Sequence, residues 1–237
     1  MGIMKGKLIV IEGLDGSGKS TQIELLRQKL DASDVPCRFI HFPKLNGGRY
    51  GELIAEFLRG EYGSVQEVHP KLVALLFAND RKEHVETLNN WLSSGYVILA
   101  DRYVYSNIAF QCAKLDNEAE KEKLRQWILD FEFGYNALPR PYQSFFLDVP
   151  FDHIVRSLSE TRRGDDRDYL NGKADIHEAS LTLQKKVYEE YRKIVCEQAD
   201  FIAVPCCDDN NNRLSPEVIN EKMVGWLKIT ETPPKTQ

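Results

Sequence analysis

The stretch Lys7–Gln22, KLIVIEGLDGSGKSTQ, constrains the fold of this chain more than any other. It opens with the apolar, β-branched run Leu8–Ile11, which predicts a buried strand. Residues 13–20 then match G-x-x-x-x-G-K-[ST] at every fixed position, and apolar residues follow at helical spacing from Ile23 to Leu30. A strand, a glycine loop and a helix in this order predict a phosphate-binding loop, or P-loop.

The chemistry of this loop is that of a nucleoside triphosphate site. Glycines let backbone N–H groups converge on an anion without a Cβ in the way, and the following helix adds the partial positive charge of its N-terminus. We expect Lys19 to reach the outer phosphates and the Ser20 hydroxyl to join a Mg²⁺ shell. The residues expected to hold the nucleotide are Gly13, Leu14, Asp15, Gly16, Ser17, Gly18, Lys19, Ser20 and Thr21.

The composition argues against several other classes of function. With 237 residues and a net charge of −5, the chain suits one domain, and its bulk charge gives no support for nucleic-acid binding. Its five cysteines are odd in number and lack C-x-x-C spacing, which suits a reducing cytoplasm rather than a disulfide framework or a zinc site. No apolar run approaches the ~18–20 residues of a membrane span, and the N-terminal residues lack a signal-peptide core. We therefore expect a cytoplasmic protein with no membrane or nucleic-acid partner.

Strand and helix patterns alternate along the rest of the chain. Apolar runs predict four further strands, at Cys37–Phe42, Gly95–Ala100, Gln143–Val149 and Phe201–Val204. Helices are predicted at Glu52–Leu58, His69–Trp91, Ser106–Phe133, Phe151–Leu158 and Ala174–Ala199, and from Ser215 onward. The alternation predicts an α/β fold, a P-loop NTPase three-layer α/β/α sandwich with a five-stranded parallel sheet and a small helical lid. We expect one domain at residues 1–229, with the lid at about 160–172, and a flexible tail at 230–237.

Three further features carry groups that could serve a metal ion, a second substrate or a lid. Asp101 follows the third predicted strand, the usual place for an acid that organises Mg²⁺ beside a P-loop strand. Phe77 and Arg81 lie four residues apart on one predicted helix face, although a core phenylalanine and a solvated arginine would give the same pattern. Residues 160–167, ETRRGDDR, place three arginines around a glycine, which favours a lid that closes over phosphates rather than a plain polar loop.

Four motifs in register resemble those of the thymidylate kinases. Asp101–Gln111 matches D-R-Y-x-x-S-x-x-A-[FY]-Q, and Glu12–Asp15 is similar to the family's E-G-x-D. Phe42-Pro43 resembles its F-P segment, and Leu76–Arg81 resembles its L-F-x-x-x-R helix. With the lid, the resemblance spans roughly residues 7–205. It implies ATP- and Mg²⁺-dependent phosphorylation of dTMP to dTDP by a homodimer.

The resemblance also implies roles for individual residues. Asp15 would hold the deoxyribose 3′-hydroxyl, Arg102 would clamp the dTMP phosphate, and Asp101 would order Mg²⁺ through water. Phe77 would stack on thymine, and Arg81 would donate to a base carbonyl one helical turn away. The other expected substrate contacts are Ser106 and Gln111 around the base, Phe110 against the 2′ position, Phe42 of the F-P segment, and Tyr169 after the lid.

The source of the positive charge needed for catalysis differs from that in some family members. Gly16 stands where those members carry a catalytic arginine in the P-loop. Arg162 or Arg163 of the lid must then supply that charge, beside Lys19 and Arg102.

A second departure from the family pattern concerns the F-P segment, and two alternative functions stay open. Leu45 stands where the family's F-P-x-R has its arginine, so Lys44 or Arg49 would substitute for it. Another nucleoside monophosphate or deoxynucleoside kinase is the close alternative function. A non-catalytic P-loop switch is less favoured, because the guanine-reading N-K-x-D motif is missing and the lid is rich in arginine.

Overall fold

The computed structural model describes residues 6–45, 47–159 and 180–227, and a parallel five-stranded sheet forms its centre. The strands are β1 (Lys7–Glu12), β2 (Cys37–His41), β3 (Val97–Asp101), β4 (Gln143–Asp148) and β5 (Phe201–Pro205). They lie in the order β2-β3-β1-β4-β5, and the register pairs Ile11 of β1 with Asp101 of β3. The carboxyl ends of β1 and β3 therefore lie side by side, at the edge where open α/β sheets place their ligands.

Helices cover the sheet in two groups. α1 packs against α9, whereas α5 packs against α3, α6 and α8. Because its faces are covered, the inner strands are almost continuously apolar, and residues such as Ile9, Leu99 and Phe146 are fully buried. The helices are α1 (Lys19–Ala32), α2 (Arg49–Leu58), α3 (Pro70–Lys82), α4 (Val85–Ser93), α5 (Val104–Cys112), α6 (Glu118–Leu129), α7 (Phe151–Ser159), α8 (Leu181–Glu197) and α9 (Pro216–Leu227).

The predicted α/β class and the five parallel strands are confirmed, with no strand end shifted by more than two residues. The predicted lid at about 160–172, the tail at 230–237 and the start of the helix expected from Ala174 lie outside the described residues. The expected domain boundaries stay a prediction.

The single helix predicted at His69–Trp91 is wrong, because the chain forms two helices, α3 and α4. After Lys82 the chain tightens, and the backbone N–H of His84 donates to Arg81 O at 3.0 Å. The His84 ring lies against Phe42, with ring centroids 5.9 Å apart. This tertiary contact accompanies the break, and no helix-breaking residue marks it in the sequence.

Two other helix boundaries also differ from the prediction. The predicted Ser106–Phe133 helix is divided into α5 and α6, and a π-helical turn, Asp130–Tyr135, follows α6. Asn117 caps α6 by accepting a hydrogen bond from the backbone N–H of Glu120 at 3.1 Å, so α6 has a start of its own. α2 begins at Arg49, three residues before the predicted start at Glu52.

Candidate active site

The P-loop joins the end of β1 to the start of α1 through glycines in conformations that other residues rarely adopt. Gly13, Gly16 and Gly18 have φ values of 149°, 80° and 97°, and α1 begins at Lys19, immediately after Gly18. A Cβ on Gly13 would lie 2.8 Å from Ser17 Oγ, so the loop has no room for a side chain there. The result is a glycine-lined turn that leads into a helix N-terminus, as an anion site requires.

Lys19 is buried over this loop. Its Nζ donates hydrogen bonds to Gly13 O at 3.3 Å and Leu14 O at 3.1 Å, and it lies 3.7 Å from Asp15 Oδ1. Burial and the nearby Arg102 lower the pKa of Lys19, although Asp15 and the neighbouring acids oppose this shift. Ser20 and Thr21 follow in the first turn of α1 with exposed side chains. The structure thus brings the predicted phosphate-binding groups together.

Arg102 faces Asp15 across the two strand ends. Its Nη2 donates to Asp15 Oδ1 at 3.0 Å, and its Nη1 lies 3.3 Å from Ser106 Oγ and 3.5 Å from the Tyr191 hydroxyl. The guanidinium carbon lies 5.2 Å from the centroid of the Phe110 ring. Burial opposes the charge, but Asp15 and the surrounding groups raise the pKa of Arg102, so it stays cationic. The predicted phosphate clamp therefore sits next to the P-loop.

Asp101, at the end of β3, is buried with one oxygen available. Its Oδ2 lies 3.2 Å from His41 Nδ1, whereas its Oδ1 has no hydrogen-bond partner in the described part of the chain. Burial acts to raise the pKa of Asp101, but His41, Lys19 and Arg102 together hold it below its ordinary value. An ionised carboxylate with an unused oxygen fits a hard cation such as Mg²⁺. Within the residues described, no group of three or more His, Cys, Asp or Glu side chains could hold a metal ion.

A buried hydrogen-bond network beneath Arg102 was missed by the sequence reasoning. Glu12 accepts bonds from the backbone N–H of Tyr103 at 2.9 Å, from the Ser106 side chain and from the Tyr191 hydroxyl at 3.1 Å. Burial raises the pKa of Glu12, although these donors and Arg102 partly offset the effect. Glu12 was part of the quoted E-G-x-D motif, but nothing in the sequence pointed to Tyr191. The network fixes the Ser106 and Tyr191 hydroxyl groups that contact Arg102.

Arg213 is a second residue that sequence reasoning missed. It follows β5 in a loop, and its Nη2 donates to Ser17 O of the P-loop at 2.6 Å. A Cβ on Gly18 would lie 3.4 Å from the same nitrogen. Arg213 thus secures the P-loop backbone from 196 residues away, and no local pattern could have revealed it.

The residues expected around a base lie on α3 and α5, which pack together. Phe77 is half-buried against an apolar cluster that includes Ile54, Phe57 and Val73. Gln111 is buried, and its Oε1 accepts a hydrogen bond from Lys114 Nζ at 2.7 Å. Arg81 is 2% exposed and bound through two nitrogens to Glu132.

The remaining predicted contacts are more dispersed. Phe42 is buried in the core between His84 and Tyr103, with ring centroids 5.9 Å from each. Lys44 and Arg49 have exposed side chains, and the backbone N–H of Lys44 donates to Asp80.

Three predicted site residues lie in the segment that the structure leaves out. Arg162, Arg163 and Tyr169 are outside the described residues.

In the part that is described, no helix has the length and apolar character needed to cross a membrane.

Comparison with known proteins gives one consistent result. Residues 11–207 match the family model for thymidylate kinase. The chain is 30% identical to thymidylate kinase from Plasmodium falciparum over 224 residues, which is 92% of each sequence. It is 39% identical to a putative thymidylate kinase of Invertebrate iridescent virus 6 over 193 residues, covering 81% of this chain and 76% of the viral protein. The structure of thymidylate kinase from Candida albicans superposes with a TM-score of 0.68 at 26% identity, covering 93% of this chain and 90% of that one. This match confirms the predicted P-loop NTPase fold.

Proposed function

The chain belongs to the thymidylate kinase family, and from this membership we propose that it transfers the γ-phosphoryl group of ATP to dTMP, giving dTDP and ADP. It is a phosphotransferase with ATP as its co-substrate. The observation that carries the proposal is the placement of Arg102, bonded to Asp15, beside buried Lys19 at the adjacent ends of β3 and β1. Two cations, one at the start of α1 and one just after β3, converge where two phosphates would have to meet.

The reaction needs positioning and charge neutralisation more than a covalent nucleophile. The P-loop amides and Lys19 would hold the β- and γ-phosphates of ATP, and Arg102 would clamp the phosphate of dTMP. That phosphate is itself the nucleophile and is already ionised at neutral pH, so no strong general base is required. Asp15, oriented by its 3.0 Å bond to Arg102, would hold the 3′-hydroxyl of the deoxyribose.

Mg²⁺ is proposed to bind between the P-loop and β3. Ser20 would contribute its hydroxyl and Asp101 would act through water, with its unpartnered Oδ1 as acceptor. The ion, when bound, would neutralise charge on the β- and γ-phosphates.

The acceptor base is proposed to lie between α3 and α5. Phe77 would stack on thymine, Arg81 would donate to a base carbonyl, and Ser106 and Gln111 would line the pocket. Phe110 would exclude a 2′-hydroxyl. Its ring lies 5.2 Å from the Arg102 guanidinium, so the residue that would select deoxyribose is adjacent to the proposed phosphate clamp.

The proposal assigns further residues to closing the site over the substrates and to binding them. Arg162 and Arg163 would supply the charge that Gly16 does not, and Tyr169 would close over the nucleotide. Lys44 or Arg49 would replace the F-P-x-R arginine. Both have exposed side chains, Lys44 between β2 and α2 and Arg49 at the first position of α2, which leaves both alternatives open.

We also propose a homodimer in a reducing cytoplasm. The five cysteines are free. An apolar face, defined here by Leu72 of α3 and the stacked rings of Trp127, Phe131 and Tyr135, is the proposed contact with a second copy. The rings stack with centroids 5.0 Å and 5.3 Å apart, and Leu72 and Tyr135 are 60% and 79% exposed. Apolar surface of this kind is favourable to cover.

The first experiment is to measure ADP release with ATP and Mg²⁺, offering dTMP, dUMP, dCMP, dGMP, UMP and thymidine separately. We expect strong turnover with dTMP, weaker turnover with dUMP and none with UMP, because the pocket selects both base and sugar. Turnover only with another acceptor would keep the phosphate chemistry and reject the base assignment. Slow hydrolysis that ignores every acceptor would instead support a P-loop switch.

A further inference from the structure

Arg81 and Glu132 form a buried ion pair inside the molecule. Arg81 Nε donates to Glu132 Oε2 at 2.5 Å, and Nη2 donates to Glu132 Oε1 at 2.7 Å. Arg81 is 2% exposed and Glu132 is fully buried. Two parallel bonds of this kind fix the plane of a guanidinium, which a single contact would leave free to rotate.

Glu132 reaches Arg81 because it lies in the π-helical turn Asp130–Tyr135. The backbone N–H of Asn136 donates to Phe131 O at 2.8 Å, the five-residue spacing of a π-helix. The residue after the turn is tied to the helix that carries Arg81. Asn136 Nδ2 donates to Ala78 O at 3.2 Å, and Lys82 Nζ donates to Asn136 O at 2.9 Å. Turns of this rare type often occur at functional sites.

A third element completes the cluster. Asn107 of α5 donates through Nδ2 to Glu132 Oε1 at 2.8 Å and to Ala74 O of α3 at 3.0 Å. Asn107 directly follows Ser106, whose hydroxyl lies 3.3 Å from Arg102 Nη1. The Glu132 carboxylate therefore receives three donated bonds and connects α3 to α5, the helix that begins two residues after Arg102, the proposed phosphate clamp.

This arrangement leaves one nitrogen of Arg81 uncommitted. Nε and Nη2 are used by Glu132, whereas Nη1 has no acceptor among the described residues. The charge of Arg81 is also balanced, so a neutral base can approach without an unpaired charge beside it. A buried ion pair is weak evidence for stability alone, because well-packed apolar residues often serve as well.

We infer that Glu132 is a positioning residue for base recognition, holding Arg81 so that Nη1 donates to a carbonyl at C4 of a pyrimidine. The inference rests on the proposed function, because it takes the acceptor to be a nucleotide bound against α3. A guanidinium fixed in this way offers only N–H donors. It matches the C4 carbonyl of thymine or uracil and opposes the C4 amino group of cytosine.

The test compares Glu132→Gln with a matched control, Glu190→Gln. Glu190 is another buried carboxylate, bound by Lys121 Nζ at 2.8 Å, Arg125 Nη2 at 3.4 Å and Lys193 Nζ at 3.5 Å, but it joins α8 to α6. For Glu132→Gln we expect KM for dTMP to rise about 10- to 100-fold, the size of a lost charged hydrogen bond. KM for ATP should stay unchanged, and the dTMP-to-dCMP ratio of kcat/KM should fall. Glu190→Gln should lose stability without changing that ratio.

Direct calorimetry of dTMP binding separates this inference from the proposed reaction. If wild-type protein binds dTMP but transfers no phosphoryl group, the reaction is wrong, and the affinity of Glu132→Gln for dTMP still decides the role of Glu132. If wild-type protein does not bind dTMP, both proposals fail. If Glu132→Gln does not fold, Glu132→Asp keeps the charge on a side chain too short for both bonds and should weaken dTMP binding selectively. Unchanged dTMP affinity and an unchanged dTMP-to-dCMP ratio in a folded Glu132 variant would overturn the inference.

Discussion

At the scale of single residues, the site depends on a backbone conformation that few side chains adopt. Arg102 has φ +65°, in the left-handed region, and its backbone N–H donates to Ile11 O at 3.0 Å. This conformation costs an L-residue about 1–2 kcal/mol. The turn takes the chain from β3 into α5 within two residues. As a result, Asp101, Arg102 and Ser106 all lie beside the end of β1.

Lys114 gives a prediction at this scale because its amine is held in an apolar setting. Nζ lies 4.9 Å from the Phe57 ring centroid and donates to Gln111. Burial lowers the pKa of Lys114 to about 7, whereas the unfolded chain titrates near ~10.4. Between these values the unfolded chain binds more protons than the folded chain. The free energy of unfolding should therefore rise with pH by up to ~1.4 kcal/mol per unit.

Urea unfolding of wild type and Lys114→Met at pH 6, 7.5 and 9 measures this contribution. Wild type should gain stability relative to Lys114→Met as the pH rises from about 7 to 9, and the difference should be constant below pH 6. The methionine variant is the matched control, since it keeps an unbranched chain against Phe57 without the charge. A difference that does not change with pH would show that the amine stays solvated.

The residues of the site were predictable where they belong to short sequence motifs. The P-loop, Asp101, Arg102 and Ser106 occur in short motifs, and the structure gathers them at one edge of the sheet. The partners Glu132 and Tyr191 were not predictable. Glu132 lies 51 residues from Arg81, and Tyr191 lies 179 residues from Glu12. Their pairing is a property of the folded chain and leaves no periodic pattern in a single sequence.

At the scale of elements, the crossing of α2 over the segment after β2 depends on one glycine. A Cβ on Gly51 would lie 2.1 Å from Lys44 O. The helix can approach this backbone only without a side chain. The exposed residues Lys44 and Arg49 lie on the segment whose position the contact fixes.

Two glycine-to-alanine changes in helices test this close approach. Gly51→Ala should lower the free energy of unfolding by roughly 1–3 kcal/mol, because α2 must move away from Lys44 O. Gly225→Ala in α9 is the matched control, since no heavy atom lies within 4 Å of its added Cβ. It should raise the free energy of unfolding by about 0.5–1 kcal/mol through helix propensity. Urea denaturation measures both, and shifts of the same sign would contradict the packing argument.

The elements themselves were predictable to different degrees. Strands such as β1 and β3 were recognisable because burial on both faces makes them continuously apolar. The break between α3 and α4 and the π-helical turn were not, because both depend on contacts with distant residues. The His84 ring meets Phe42 at the first, and Glu132 meets Arg81 at the second.

At the scale of the whole molecule, the proposed site and the proposed contact with a second copy share helix α3. The strand order places the P-loop and Asp101 at the carboxyl edge, where the nucleotides would meet. The apolar face lies on α3, α6 and the π-helical turn that follows α6, and Lys71 Nζ of α3 lies 4.5 Å from the Trp127 ring centroid of α6. α3 also carries Phe77 and Arg81, so a dimer built on this face would brace the helix proposed to contact the base.

Replacing one exposed leucine on that face with glutamate tests the dimer. Leu72→Glu places a charge where apolar surface would be covered, and burying an unpaired carboxylate costs more than an interface of this kind can easily offset. We expect wild type to sediment at about twice the 27.3 kDa chain mass and Leu72→Glu at the chain mass. Leu181→Glu is the matched control, because Leu181 is 48% exposed at the start of α8, a helix that contributes no residue to the face, and should leave the dimer intact. A dimeric Leu72→Glu would place the contact on another surface, and a monomeric wild type would reject the homodimer.

If dimerisation braces α3, Leu72→Glu should also raise KM for dTMP more than KM for ATP, since Phe77 and Arg81 lie on the same helix.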